Sequence, residues 1–278
     1  MKKGTFTHFV YTCLVLLLCT TDIYGQLDVR QLTEQQGLGN NTINYIHQDQ
    51  KGFLWIGTDI GITRYGGNFF HTYNLSRQGK NEPISVSNIV ETEDRYLWLE
   101  SDDHVISCFD KQQEKYLPIH WNDEIKQEEI QKLYSTGNTL YAILPNGLYM
   151  IDVKSDGKMI QLNKKPILEN KKLFQSLSGQ GTNLYLTDQD NRLIIYNTQT
   201  EKSEILDCTA WGIRTSDILN IYIRHDHLFV CGNFEGIICY NLKEKDFRTI
   251  KITNNQADYQ QPNIREICHL GENRFAIS

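Results

Sequence analysis

The chain has 278 residues, of which 40% are hydrophobic and 22% are charged, and its formal net charge is −6. This composition excludes a disordered or fibrous protein and is sufficient for one good-sized domain. A mildly acidic chain without clustered Lys and Arg is also poorly suited to nucleic acid, so we predict no nucleic-acid partner.

The N-terminus has the features of a secretory signal. Two lysines precede the apolar run FVYTCLVLLLC, which is too short to cross a bilayer comfortably. Gly25 then supplies the small residue that signal peptidase prefers, whereas lipoprotein processing at Cys19 is less favoured because Leu18 is bulky. We predict that residues 1–25 are a cleaved signal peptide and that 26–278 form an exported, periplasmic domain without membrane contact.

The remainder of the chain is an internal repeat. Six aromatic residues recur at gaps of 43, 43, 44, 44 and 46 residues, and a pair of apolar residues three positions apart recurs in phase with them. A third mark, an apolar residue usually followed by Asp or Asn, closes the first five units. The aromatic residues are Trp55, Trp98, Tyr141, Tyr185, Phe229 and Phe275, and the pairs are Ile43/Ile46, Val86/Ile89, Ile130/Leu133, Phe174/Leu177, Ile218/Ile221 and Ile264/Ile267.

Short apolar runs within each repeat predict strands rather than helices. In the first unit the strands are predicted at 42–48, 53–58, 62–65 and 69–75, separated by turns rich in Gly, Asn and Asp. A period of about 40 to 45 residues with four such strands is typical of a β-propeller blade. We therefore predict an all-β propeller of four-stranded antiparallel blades, near 39–74, 83–119, 129–162, 173–206, 217–252 and 263–278.

The sixth repeat is incomplete in this sequence. The chain ends at Ser278, inside the last unit, and the segment Leu27–Thr33 is placed to complete a final blade whose other strands would lie beyond that point. We predict five complete blades and part of a sixth in an open arc, with unpaired strand edges that favour aggregation. Closure as a six-bladed ring by Leu27–Thr33 is the alternative.

The repeated aromatic residues are expected to fill the space between adjacent blades. Asp49, Gly52 and Trp55 are spaced somewhat like the Asp-box of sialidase propellers, but the Asp lies six residues before the Trp instead of five. A tight turn between two strands is the favoured interpretation of this motif.

Neither a cofactor site nor a catalytic site is predicted. The chain has no metal-ligand spacing and no nucleophile or phosphate-binding motif, so we do not expect it to be an enzyme. Cys231 and Cys239 flank one predicted hairpin turn and could lie nearly opposite each other. They are interpreted as two small buried hydrophobic residues, with a cross-strand disulfide as the alternative.

Candidate ligand-binding residues are predicted in the loops at one face of the propeller. Trp121 and Trp211 lie outside the repeating aromatic position, and aromatic rings stack on sugars while acids and Arg bind hydroxyl groups. The alternative is that both tryptophans cover the ends of blades. The predicted set is Trp121, Trp211, Arg214, Asp102, Asp188 and Asp190.

The first unit resembles a known family. The segment Gly37–Asn74 reads GLGNNTINYIHQDQKGFLWIGTDIGITRYGGNFFHTYN and is similar to the two-component regulator propeller repeat, which it matches densely from Gly37 to Tyr65. The similarity fades in the later blades: blade 2 keeps LWLE and the spacing, and blades 3 to 5 keep mainly the strand hydrophobicity.

The resemblance implies a periplasmic sensor of the hybrid two-component type found in gut Bacteroidetes. Such receptors detect oligosaccharides from glycan breakdown, and the intact protein would be a homodimeric histidine kinase with a DNA-binding output. This chain would be its sensing propeller without those parts, in a truncated product or a fragment. A secreted propeller that binds or cleaves polysaccharide, or a protein-interaction scaffold, are the alternatives.

Overall fold

The computed structural model describes residues 32–76, 81–121, 130–169, 173–213, 218–251, 264, 267–271 and 274–277. All strands belong to the unit Glu34–Ser278. The predicted signal peptide and most of the predicted closing strand Leu27–Thr33 lie outside the described residues.

Four four-stranded antiparallel sheets, one five-stranded sheet and one two-stranded sheet are present, which confirms the predicted propeller of five blades and part of a sixth. The four strands of each complete blade pair in chain order, so every blade is a meander built from local hairpins, and the five-stranded sheet gains one more strand from the preceding connection. The first three blades contain β1 (Ile43–Gln48), β2 (Leu54–Thr58), β3 (Gly61–Tyr65) and β4 (Phe70–Asn74); β5 (Val86–Thr92), β6 (Tyr96–Ser101), β7 (Ile106–Asp110) and β8 (Lys115–Leu117), followed by the linking strand β9 (Ile119–Trp121); and β10 (Lys132–Thr136), β11 (Thr139–Leu144), β12 (Gly147–Ser155) and β13 (Ile160–Glu169).

Blades 4 to 6 continue this order with only small changes in strand length. Short 3-10 helices at Glu34–Gln36 and Cys208–Trp211 are the other regular elements of the described residues. The strands are β14 (Phe174–Gln180), β15 (Asn183–Asp188), β16 (Arg192–Asn197) and β17 (Lys202–Asp207); β18 (Ile218–Arg224), β19 (His227–Gly232), β20 (Ile237–Asn241) and β21 (Asp246–Ile250); and β22 (Ile267–Gly271) with β23 (Arg274–Ile277).

A β-bulge explains why the apolar pairs are three residues apart. Val86 pairs with Ser101, but the next pairing joins Asn88 to Glu100, so Ser87 is an extra residue in β5. The extra residue turns Val86 and Ile89 to the same face of the strand, although an odd spacing normally puts residues on opposite faces. The first strands of blades 1, 4 and 5 have the same register shift.

The hydrophobic core is divided into clusters that each lie between two consecutive blades. The apolar pair of one blade packs against the aromatic residue in the second strand of the preceding blade. Val86 and Ile89 pack against Trp55 in this way. Trp55, Trp98, Tyr141 and Tyr185 are buried and Phe229 is half-buried, which confirms their predicted role as spacers for the described side chains; the side chain of Phe275 lies outside the description.

The turn interpretation of the first motif is confirmed. Asp49 Oδ1 accepts hydrogen bonds from the backbone N–H groups of Lys51 and Phe53, each at 3.0 Å, and Gly52 has a φ of 87°. The other carboxylate oxygen of Asp49 accepts a hydrogen bond from Trp55 Nε1 at 2.8 Å. The aspartate thus closes the β1–β2 turn and orients the buried indole.

The repeated Asp or Asn mark is a second turn signal. Asp110 Oδ1 accepts hydrogen bonds from the backbone N–H groups of Gln112 and Gln113 at 2.8 and 3.2 Å. Asn197 and Asn241 do the same in blades 4 and 5. These side chains close the hairpin between the third and fourth strands of their blades.

Blade 3 differs from the prediction at its outer edge. Its fourth strand was expected to end at residue 162 but continues to Glu169, and Pro166 is accommodated beside a register shift. In addition, β9 pairs in parallel with β13 and makes this sheet five-stranded. The connection from blade 2 therefore covers the outer edge of blade 3.

Cys231 and Cys239 are not cross-strand neighbours, so the expectation that they lie nearly opposite each other was wrong. Cys239 pairs with Phe229, two residues before Cys231, and Val230 pairs with Ile238. Both thiols are buried and they form no disulfide with each other. The interpretation as small buried hydrophobic residues is confirmed.

Among the described residues, no blade covers one of the apolar pairs. Ile43 and Ile46 of β1 are 45% and 57% exposed, whereas the pairs at Val86/Ile89, Phe174/Leu177 and Ile218/Ile221 are all buried. Because each pair packs on the preceding blade, the side of blade 1 that faces away from blade 2 is open beside β1. This agrees with the predicted open arc.

Candidate functional site

The first strands of the five complete blades line an open cavity. β1 packs against β5, β5 against β10, β10 against β14 and β14 against β18, so these strands lie side by side around the axis. The cavity between them has a volume of about 480 Å³. Every complete blade contributes to its wall, and this is the candidate site.

Amide, hydroxyl and aromatic groups make up much of the wall. The residue that directly follows each apolar pair lines the cavity in all five blades. These residues and the neighbouring inward positions come from strands separated by a whole repeat in the sequence. The polar and aromatic members include Tyr45, His47, Gln48, Asn88, Tyr134, Ser135, Ser178, Asn220 and Tyr222.

The acidic group of the wall is neutralised. Glu91 lies in the cavity wall, and its two oxygens contact Lys111 Nζ and, at 3.3 Å, His47 Nε2. Lys111 also contacts Asp49 at 3.3 Å and Asp94 at 3.1 Å. The side chains of Lys111, Glu91 and Asp49 are only 6%, 7% and 1% exposed, so this cluster is an internal clamp between blades 1 and 2.

The clamp shifts the pKa values of Lys111 and Asp49 in the directions that keep these two groups charged. Burial works to lower the pKa of Lys111, but hydrogen bonds with Glu91 and Asp94 outweigh it and raise that pKa above the ordinary value. Burial works to raise the pKa of Asp49, but the Trp55 hydrogen bond and the Lys111 charge lower it overall. The clamp is therefore an ion-pair network at neutral pH.

A second buried carboxyl lies behind the wall. Glu100 Oε2 accepts hydrogen bonds from Asn88 Nδ2 and from the backbone N–H of Leu133, both at 3.2 Å. Asn88 Nδ2 also donates to the Leu133 carbonyl oxygen at 3.2 Å, so these groups join blade 2 to blade 3. Burial raises the pKa of Glu100, because a carboxylate there has lost its water.

Tyr134 is held in place by the next blade. Its hydroxyl donates a hydrogen bond to the Gly179 carbonyl oxygen at 2.9 Å, and burial raises its pKa. A Cβ at Gly179 would lie 3.1 Å from the Tyr134 ring, which explains why glycine occupies this position. The ring is thus fixed in the cavity wall before any ligand arrives.

Trp211 lies at a second, smaller pocket between blades 4 and 5. It stacks on Tyr240, with ring centroids 5.0 Å apart, and packs within the apolar cluster of these two blades. The pocket has a volume of about 270 Å³ and is also lined by Phe234, Glu235 and Lys251. The predicted Arg214 lies outside the described residues.

The other predicted ligand residues do not converge on Trp211. Trp121 is in β9 and packs against the cluster between blades 2 and 3. Asp188 has no exposed side chain surface and holds Arg192 at 2.6 Å, while Asp190 lies 3.9 Å from the same guanidinium. Asp102 is exposed in the turn that follows β6.

The axial wall was not among the predicted ligand residues. A signal for it was available, because the position after each apolar pair is His47, Val90, Tyr134, Ser178 or Tyr222 and is mostly polar or aromatic. Recognising that signal requires knowing that these five positions meet at one axis.

The described residues contain no group of three or more His, Cys, Asp or Glu that could hold a metal ion. Within the same residues, no helix has the length and apolar character required to cross a membrane.

Comparison with protein families supports the predicted resemblance. Residues 37–59 match the family described as two component regulator propeller, which confirms the resemblance over that segment. The matched residues comprise the approach to blade 1, β1, the Asp49 turn and β2. No curated protein matches the chain.

Solved propellers resemble this chain in structure. The extracellular domain described as that of a hybrid two component system from B. thetaiotaomicron matches with a TM-score of 0.51 and 19% identity, over 89% of this chain and 40% of that one. A second extracellular domain from B. thetaiotaomicron, described as part of a one component system, has a TM-score of 0.50 and 15% identity, over 85% and 37% of the two chains.

A propeller from a different setting matches equally well. The β-propeller domain of Cps50 (Swd1) from Myceliophteria thermophila has a TM-score of 0.51 and 14% identity, over 72% of this chain and 65% of that one. At these identities the likeness shows the propeller fold. This chain spans about two fifths of the length of the two bacterial extracellular domains.

Proposed function

We propose that this chain, whose first blade carries a two-component regulator propeller repeat, is a ligand-sensing portion of such a regulator. The observation that carries the proposal is the match over residues 37–59 in a chain that folds as a propeller. The two bacterial structures it resembles are extracellular domains of regulators, which supports the same assignment. The kinase and DNA-binding parts and the homodimer belong to the intact receptor in this proposal.

The proposed location is the periplasm. The basic residues and the apolar run before Gly25 suit a signal peptide, and a sensor of external nutrients has to lie outside the inner membrane. N-terminal sequencing of the exported chain tests this: a mature N-terminus at Gln26 is expected, and retention of residues 1–25 in a cytoplasmic product would contradict it.

The proposed ligand is an oligosaccharide released during glycan breakdown, and the proposed role is binding without catalysis. Glu91 is the carboxylate in the described wall of the axial cavity, and Lys111 and His47 engage its oxygens, which suits a structural ion pair better than acid catalysis. Glycoside hydrolysis uses two carboxyl groups that flank the scissile bond.

Binding of the full chain to a panel of defined oligosaccharides tests this function. Isothermal titration calorimetry with neutral plant, microbial and host oligosaccharides is expected to give saturable binding of at least one member. Release of reducing ends over hours would instead support the enzyme alternative. Binding of amino acids or peptides and of no saccharide would contradict the proposed ligand class.

The predicted residues Trp121 and Trp211 have a separate test in the intact receptor. If Trp211 contacts the ligand, Trp211→Ala weakens the transcriptional response to the identified saccharide more than Phe234→Ala in the same pocket does. Trp121→Ala is examined in parallel. An unchanged response for both tryptophan variants would remove them from the ligand site.

A further inference from the structure

We propose that the axial cavity is the ligand site of this chain and that it takes a neutral saccharide of one or two rings. This proposal rests on the proposed function and adds the place of the ligand site and the chemical class of the ligand. The size, the chemistry and the charge of the cavity wall support both.

The cavity has the size of a small-molecule site. Its volume of about 480 Å³ lies within the range of about 300 to 1,000 Å³ that is usual for ligand pockets. The smaller pocket beside Trp211 has about 270 Å³ and lies below this range. A ligand on the axis would also contact all five complete blades, so its binding could be transmitted to the whole domain.

The chemistry of the wall suits hydroxyl groups and the apolar faces of sugar rings. Tyr45, Tyr134 and Tyr222 come from three different blades and supply aromatic surface, while Asn88 and Asn220 supply amide groups. Because Asn88 Nδ2 already donates to Glu100 and Leu133, Asn88 contributes its oxygen as an acceptor for a sugar hydroxyl. Asn220, whose oxygen accepts from Ile221, contributes its N–H groups as donors.

Much of this wall is ordered before a ligand binds, which reduces the entropy cost of binding. The Tyr134 hydroxyl is bonded to Gly179, and the ring of Tyr222 packs 6.3 Å from that of Phe229. Asn88 is bonded to Glu100 and Leu133, and Asn220 Oδ1 accepts the backbone N–H of Ile221 at 2.9 Å.

The charge of the wall favours a neutral ligand over an ionic one. Glu91 is paired with Lys111, which is itself only 6% exposed, and with His47. An anionic or cationic ligand would have to compete with the pairs of Glu91 and lose its own hydration, which is costly unless a new partner replaces it.

The test blocks the cavity and leaves the surface alone. Ser135 lines the cavity, and Ser135→Trp places a large side chain inside it. Ser203 is exposed on β17, the outermost strand of blade 4, and Ser203→Trp makes the same chemical change away from the axis. The probes are cellobiose, maltose, lactose and xylobiose, with glucuronic acid and glucosamine as charged comparators, titrated into the full-length chain by calorimetry.

We expect at least one neutral disaccharide to bind more tightly than the charged comparators, Ser135→Trp to weaken that binding at least tenfold, and Ser203→Trp to change it by less than twofold. Equal binding by both variants overturns the axial site but leaves the proposed saccharide sensor intact. Preference for glucuronic acid or glucosamine overturns the neutral class. Binding of none of the saccharides overturns the inference together with the proposed ligand.

A second measurement keeps the inference falsifiable if Ser135→Trp fails to fold. Hydroxyl-radical footprinting of the unaltered chain, with and without the bound disaccharide, is expected to protect Tyr134 and Tyr222 and to leave Phe69, which is 83% exposed, unchanged. Protection that appears at Trp211 and not at the two tyrosines would overturn the axial site.

Discussion

At the scale of single residues, the repeated tryptophans have two tasks. Trp55 and Trp98 fill the spaces between blades, and each indole N–H reaches back to the turn six residues earlier. Trp55 donates to the Asp49 carboxylate and Trp98 to the Thr92 hydroxyl, both at 2.8 Å. The same geometry therefore serves a charged acceptor in blade 1 and a neutral acceptor in blade 2.

This difference predicts unequal costs for the same substitution. Trp→Phe removes the same volume at either position, but Trp55→Phe also removes a partner from a buried carboxylate. Hydrogen bonds to charged groups contribute about 1.5 to 3 kcal/mol and neutral ones about 0.5 to 1.5 kcal/mol. We expect Trp55→Phe to lower the free energy of unfolding by about 1 kcal/mol more than Trp98→Phe in urea denaturation. Equal losses would show that the acceptor's charge is irrelevant.

The buried carboxyl of Glu100 leads us to expect that replacing it with Gln stabilises the fold, by an amount that depends on pH. Because burial raises its folded-state pKa, the stability that its protonated form provides is complete below the unfolded pKa and is lost as pH rises through the folded pKa. Glu100→Gln keeps an oxygen for Asn88 and Leu133 and removes the charge.

We expect Glu100→Gln to be more stable than the unaltered chain at pH 7, by about 1.4 kcal/mol for each unit of pKa shift, and equally stable near pH 4. Thermal melts across this range measure it. A variant that is less stable at pH 7 would show that the Glu100 carboxylate is favourable in the fold.

At the scale of elements, Lys111 holds two blades together. It follows the third strand of blade 2 and contacts Asp49 in the turn of blade 1 as well as Glu91 and Asp94 of its own blade. The clamp therefore joins turns that belong to consecutive repeats.

Removal of Lys111 leaves three carboxylates close together. Breaking a buried pair by removing one partner costs about 3 to 5 kcal/mol, whereas an exposed pair is worth about 0 to 1 kcal/mol. We expect Lys111→Met to lose stability in the first range at pH 7, and Lys51→Met, whose side chain is 54% exposed beside Asp94, to lose little.

The stability lost in Lys111→Met should be larger at neutral pH than at acidic pH. The Lys111 charge helps to lower the folded-state pKa of Asp49 and Asp94, so its stabilisation is present above their unfolded pKa and is lost as pH falls through the folded pKa. The difference between Lys111→Met and the unaltered chain should therefore shrink on acidification. A constant difference from pH 7 to pH 3 would mean that lost packing, and not lost charge, causes it.

At the scale of the whole molecule, the open side of blade 1 predicts that Ile→Ala changes the free energy of unfolding by different amounts in blades 1 and 2. Ile46 and Ile89 are equivalent members of the repeat, but Ile46 is 57% exposed and Ile89 is 1% exposed. Ile→Ala in a packed core costs about 2 to 5 kcal/mol, and exposed substitutions usually change stability by less than about 0.5 kcal/mol.

We expect Ile89→Ala to destabilise this chain strongly and Ile46→Ala to leave its denaturation midpoint nearly unchanged. Because the exposed pair is an apolar surface beside β1, Ile46→Ala should also reduce self-association measured by sedimentation. Similar large losses for both variants would show that blade 1 is covered in solution and that the arc is closed.

The architecture of the blades could be predicted from the amino-acid sequence. The spacing of Trp55, Trp98, Tyr141 and Tyr185 and the Asp or Asn turn marks predicted the strands, because blades form from hairpins between neighbours in sequence. The bulge in the first strands of blades 1, 2, 4 and 5 coincides with the apolar spacing of three. The contents of the axis, in contrast, became visible in the folded chain. Tyr45, Asn88, Tyr134, Ser178 and Tyr222 meet there because the blades pack in a ring-like order, and a contact between residues one or more repeats apart leaves no local pattern.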